Sequence, residues 1–151
     1  MHNNIDDSLD HILFLARHLQ GFDAIHVVKL ILLELNLFSN CSGWSYLCDA
    51  VMTFRADPQQ SVTKELYPAV ARHCGQGVKP EQIEKAIRFI IHKAWEQRND
   101  AVWKRYFRLS NSGTIRRPSN GEFISRIAAT VDFWAACCQC LGGSDREEGI
   151  S

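Results

Sequence analysis

The sequence predicts an all-α protein: a compact multi-helix domain that contains a helix-turn-helix and carries extra N-terminal helices. Two observations lead there. Apolar residues recur at spacings of three and four through most of the chain, and the alternation of a half-buried strand is scarce. Clusters of Gly, Pro, Ser and Asn divide these stretches into helix-sized segments, several with capping residues in front.

Taken in order, a first helix is expected after the Asp6–Ser8 cluster, with Leu9, Ile12, Leu13, Ala16 and Leu19 as its stripe and Gly21 as its end. A second runs from about Asp23 through "AIHVVKLILLELNLF", apolar on enough sides to be largely buried. "SNCSG" makes a loop, "WSYLCDAVMTFRA" a third helix, and "DPQQS" stops it. In "SVTKELYPAVARHC", Pro68 removes a helix hydrogen bond and crowds the preceding turn, so that element is kinked or split into two short pieces.

"GQGVKP" is a turn in which Pro80 suits a first helical position. The next helix, within "KPEQIEKAIRFIIHKAW", gathers Ile83, Ala86, Ile87, Ile90 and Ala94 on one flank and Glu81, Glu84, Lys85, Arg88 and His92 on the other. "AVWKRYF" reads as a short helix, "RLSNSGTIRRPSN" as an exposed basic loop, "GEFISRIAATVDFWAACCQCL" as a closing helix, and "GGSDREEGIS" as a frayed acidic tail. Trp95, Trp103, Tyr106, Phe107 and Phe123 sit at helical spacing beside apolar neighbours, which assigns them to the core. Residues 1–40 are expected to be a helical extension packed on the domain, 41–135 the helix-turn-helix domain, and 136–151 a cysteine-bearing end with an acidic tail.

Composition narrows the function. A chain of 151 residues suits one domain, and 46% hydrophobic with 23% charged residues is ordinary for a globular protein. The longest apolar run, "VVKLILLEL", is broken by Lys29 and Glu34 and falls short of the roughly 20 residues of a membrane span. The polar, acidic opening "MHNNIDDSLD" is unlike a signal peptide, so the expected setting is cytoplasmic, with no membrane partner. Cysteines 41, 48, 74, 137, 138 and 140 are then free thiols. "CCQC" lacks the two-residue knuckle spacing and a second ligand pair, so neither a metal nor any other cofactor is expected. A glycine-rich phosphate loop, a GxSxG elbow and an HExxH pair are all missing; no catalytic residue is assigned and no enzyme is expected.

The net charge of zero hides an asymmetry. Ser61 to Arg117 holds 12 Lys/Arg against 5 Asp/Glu, a charge of +7, and the remainder carries −7. Such a concentration points towards a polyanion, although a solvated basic surface has the same composition. Within it, "AVARHCGQGVKPEQIEKAIR" meets the needs of a helix-turn-helix: Ala71 and Gly75 at the crossing and turn, then Val78, Ile83 and Ile87 to hold the second helix on the first. A helical hairpin with no nucleic-acid role would show the same pattern.

The segments "TKELYPAVA", "IEKAIRFIIHKAW" and "PSNGEFI", in this order and spacing, resemble the C-terminal DNA-binding effector domain of the sporulation-initiation response regulator family. The resemblance runs from about Gly43 to Val131. It implies a six-helix domain whose recognition helix enters the major groove of a short box of double-stranded DNA, as a homodimer or in tandem copies, in a transcription regulator. Of the family's recognition positions, Glu84 and Arg88 match; Gln82 and Lys85 stand in place of arginines and Phe89 in place of a histidine. The implied base contacts are Gln82 to adenine, Glu84 to cytosine N4, Lys85 to a guanine edge or phosphate, and Arg88 to guanine O6 and N7. Lys64, Lys79, Lys93, Arg116 and Arg117 are the expected phosphate contacts, which orient the protein without reading sequence.

Family members carry a receiver domain that is phosphorylated on aspartate; Asp6 and Asp7 precede a helical stripe and lack a strand-flanked setting, so phosphotransfer is not expected. The N-terminal helices extend the core or offer a protein regulator or a second copy a surface around Leu13, Phe14, Val27 and Leu30. A second reading stays open on the substitutions at Gln82, Lys85 and Phe89: a protein-binding module of the same fold that modulates other regulators without reading DNA.

Overall fold

The computed structural model describes residues 23–148 except 76 and 108–110, with side chains described as far as 139. The helix expected over Leu9–Leu19, including Leu13 and Phe14, lies outside the described residues. Among those described there are helices and no strand: α1 (Ala24–Glu34), α2 (Ser42–Ala56), a π-helical turn (Val62–Leu66) running into α3 (Tyr67–Cys74), α4 (Pro80–Glu96), α5 (Asp100–Tyr106) and α6 (Asn120–Glu148).

The Asp23 carboxylate starts α1 by accepting the Ile25 N–H at 3.2 Å. Val27, Val28, Ile31 and Leu32 then form its buried face. It stops before the end of the apolar run because Asn36 adopts a left-handed φ of 67°, a conformation asparagine tolerates better than most residues. The Leu37 N–H closes the end on the Leu32 carbonyl at 2.9 Å, so Leu35 and Leu37 are still buried. Val27 is buried and Leu30 half-buried, so α1 contributes to the core rather than standing off it.

The stretch around Pro68 is divided, as expected, into two short pieces, the π-helical turn and α3. The chain widens ahead of the proline: the Leu66 N–H donates to the Ser61 carbonyl at 2.9 Å, an i to i−5 bond, and the Tyr67 N–H donates to the Val62 carbonyl. Pro68 follows in the first turn of α3, where a missing N–H leaves no helical bond unmade.

α2 lies at the centre and packs on α1, α3, α4 and α6. Leu47, Cys48, Ala50 and Val51 are buried on it. Where it meets α4 the backbones approach so closely that a Cβ on Gly43 would lie 2.5 Å from the Ala86 carbonyl oxygen and 3.1 Å from Ile90 Cγ2. Only glycine fits this crossing.

The other end of the core is aromatic. Trp103 stacks on Phe107 at 5.3 Å between centroids, Phe107 on Phe123 at 5.4 Å, and Trp95 meets Trp103 edge-on at 5.5 Å. Polar ties hold the outer helices. Arg105, its side chain 8% exposed, pairs with Glu34, and the Tyr106 hydroxyl donates to the same carboxylate at 2.5 Å. Arg126 Nε donates to the Tyr106 carbonyl at 2.6 Å, and Arg55 pairs with Asp132 at 2.7 Å.

One expectation is corrected at the C-terminus. α6 does not give way to a frayed tail at Gly142 but continues to Glu148. Lengthening an existing helix incurs no new nucleation cost, and one glycine pair costs only about 2 kcal/mol of propensity relative to alanine.

Gly43→Ala should destabilise the protein by about 1–3 kcal/mol, despite alanine's better helix propensity, because the obstacle is backbone and cannot rotate away. A urea unfolding series with an unchanged slope would show it; equal midpoints would refute the tight crossing.

Burial pushes the Cys48 thiol from 9.0 up to about 11, with Lys29 opposing and Asp49 adding to the shift. Burial and the hydrogen bond to Glu34 also raise the Tyr106 phenol above its ordinary 10.0. In both cases the folded state holds the proton more tightly than the unfolded chain. The Cys48 stabilisation is therefore complete below pH 9.0 and is lost as pH rises through about 11, and the loss from Tyr106 begins only above 10.0. Urea midpoints should fall across that window, and less steeply in Cys48→Ala.

Candidate nucleic-acid interface

Gly75 ends α3 with φ of 88° and ψ of −146°, and Gly77 follows with φ of 79°. A Cβ on Gly75 would meet nothing within 4 Å, so its role is the dihedral and not the helix crossing. The turn delivers the chain to Pro80, the first residue of α4. Ala71 on α3 is buried and Val78 half-buried, while Ile83, Ile87, Ile90, Ile91 and Ala94 bury the inner side of α4. Glu81, Gln82, Lys85, Arg88, Phe89 and Lys93 are left facing outward.

Each expected contact residue has a definite place on this surface. Gln82 Oε1 accepts the Lys79 N–H at 2.9 Å, which makes Gln82 part of the cap of α4. Lys85 is exposed. Arg88, 60% exposed, is paired with Glu84 one turn earlier. An exposed i,i+4 pair is worth only about 0.3–0.5 kcal/mol, so Arg88 can exchange this carboxylate for another acceptor at little cost.

The loop before α6 closes on the same helix. Asn120 Nδ2 donates to the Tyr67 hydroxyl and to the Glu84 carbonyl, both at 3.1 Å, and so ties α3, α4 and α6 together. Arg117 donates to His92 Nδ1, whose Nε2 lies 2.9 Å from Glu96. A groove results, lined by Thr63, Tyr67, Glu84, Arg88, Arg117 and Asn120.

The remaining basic residues are more dispersed. Lys79 precedes α4, and Lys93 lies near its far end, roughly 20 Å further along the axis. The Lys93 ammonium stands 5.3 Å from the Phe89 ring centroid. Arg116 is 81% exposed and meets Glu122 at 3.4 Å, while Lys64 lies on the π-helical turn, off α4.

Asn120 and Tyr67 are the residues that reasoning from the sequence did not single out, although both lie inside the quoted motifs. Their signal was the fixed spacing of "PSNGEFI" after "LYP"; the hydrogen bond that explains it needs three dimensions. Burial raises the Tyr67 phenol above its ordinary value, although the Asn120 hydrogen bond acts the other way. The aromatic residues assigned to packing are placed accordingly: Trp103, Tyr106, Phe107 and Phe123 are buried and Trp95 is half-buried.

Among the described residues no group of three or more His, Cys, Asp or Glu is arranged to hold a metal ion. Cys137 and Cys138 are half-buried free thiols, and burial raises the Cys138 thiol above its ordinary value. No described helix is long and apolar enough to cross a membrane.

An all-helical domain that presents the second helix of a helix-turn-helix, apolar inside and charged outside, has the build of a DNA-binding regulator. Residues 28–131 match the family model described as Sporulation initiation factor Spo0A C terminal, and the chain belongs to that family. It is a family of DNA-binding transcription-regulator domains rather than of enzymes, and its partner is DNA.

Asn120→Ala should cost about 1–3 kcal/mol, because it leaves a half-buried carbonyl and hydroxyl short of a donor. Thermal unfolding followed by helical circular dichroism measures the loss; an unchanged midpoint would mean water replaces the amide.

Proposed function

We propose that this domain binds double-stranded DNA sequence-specifically by laying the outward flank of α4 in the major groove, and so regulates transcription. One observation carries the reading: α4 buries an unbroken isoleucine face while Gln82, Lys85 and Arg88 stand exposed on the other, bordered by Lys79, Lys93 and Arg117. In this reading Arg88 leaves Glu84 to take guanine O6 and N7, Glu84 accepts from cytosine N4, and Gln82 and Lys85 contact neighbouring edges. Lys79, Lys93 and Arg117 take phosphates along the groove walls, with Lys64 and Arg116 at the periphery. Residues 41–135 form the reading unit. The protein works in the cytoplasm, on tandem or two-fold sites, with any protein regulator engaging the N-terminal extension.

Fluorescence anisotropy against a randomised duplex pool, at several salt concentrations, tests the proposal. Arg88→Ala should cost about 1–3 kcal/mol on a selected site and relax the preference at one base, whereas Arg117→Ala should weaken all sequences alike and reduce the salt slope by about one. If a correctly folded chain binds no duplex at low salt, the flank faces protein, and the fold serves as a module that modulates other regulators.

A further inference from the structure

Phe89 is the largest apolar side chain on the outward flank of α4, and 55% of it is exposed. It has no part in holding the fold, because the inner face of α4 is already filled by Ile83, Ile87, Ile90 and Ile91. Gln82, Lys85 and Phe89 stand at i, i+3 and i+7, the spacing at which a groove-bound helix presents successive side chains to base edges. Lys93, one turn on, holds its ammonium over the ring and can reach a flanking phosphate while the ring points inward.

A phenyl ring in the major groove discriminates sharply among bases. Adenine, guanine and cytosine show donors and acceptors there but no methyl group, and a ring set against them would displace water and return no hydrogen bond. Thymine alone presents a methyl group, at C5, so both surfaces that meet are apolar. We propose that Phe89 is a specificity-determining residue that selects thymine through its C5-methyl. This rests on the DNA reading of α4 and adds a contact made by apolar burial to the four made by hydrogen bonding.

The test uses the full chain and duplexes selected from a randomised pool. Each thymine of the selected site is replaced singly by deoxyuridine, which removes the methyl and keeps the pairing and O4. At one thymine the affinity should fall about fourfold, the equivalent of about 0.8 kcal/mol at 1.4 kcal/mol per tenfold. Phe89→Ala should bind the thymine and deoxyuridine duplexes equally and relax selection at that base alone. Phe89→Leu should keep part of the discrimination. The helical spectrum of both variants should match the parent, since the side chain is exposed.

Two results overturn the inference and leave the DNA reading standing: a selected site at which no deoxyuridine substitution matters, or a discrimination that survives in Phe89→Ala. Failure to select any site, with no binding at low salt, removes the DNA reading and this inference with it.

Discussion

The close approach of α2 and α4 is the constraint on which the rest of the structure depends. Gly43 has no side chain, so the carbonyl of Ala86 can sit where a Cβ would otherwise be. That contact sets how deep α4 lies. Ile83, Ile87 and Ile90 reach full burial, while Gln82, Lys85, Arg88 and Phe89 stay in solvent. A bulkier pair at the crossing would lift α4 outward, loosen Asn120 from the Glu84 carbonyl, and tilt every outward side chain at once.

The polar interactions fall into two groups with different tasks. The Glu34–Arg105–Tyr106 cluster is largely covered, and losing one member would strand the others, so it fastens α1 to α5. On α4 the pairs are exposed: Arg88 with Glu84, His92 with Glu96, Arg117 with His92. Such contacts hold side chains in place without binding them strongly.

Much of the fold was legible in the sequence because its cause was local. The Asp23 cap, the glycine turn, Pro80 at the start of α4 and the isoleucine stripe that follows each act within a few residues. What escaped was non-local. Nothing near Gly43 in the chain announces that Ala86 will press on it, and nothing near Asn120 announces the Tyr67 hydroxyl. One local signal misled in its detail: the glycine pair at 142–143, through which α6 continues. The candidate site was legible as a list of charged residues; that Gln82 caps its own helix, that Arg88 is already paired, and that Phe89 stands over solvent beside Lys93 required coordinates.

The family pattern gains physical content when its residues are placed in the structure. Leu66, Tyr67, Ala71, Ile87, Ile91, Ala94, Phe123 and Ile124 are buried, Ala86 forms the α2 crossing, and Asn120 bridges three helices. The motifs that mark the family therefore describe, for the most part, the scaffold that presents α4. The positions where this chain departs from the pattern, Gln82, Lys85 and Phe89, are all exposed, and none of them supports the core. The burial of the helix and the make-up of its outward flank are thus carried largely by different residues. Lys85 and Phe89 can therefore vary without disturbing how the helix is held, whereas Gln82 also caps it through the Lys79 N–H.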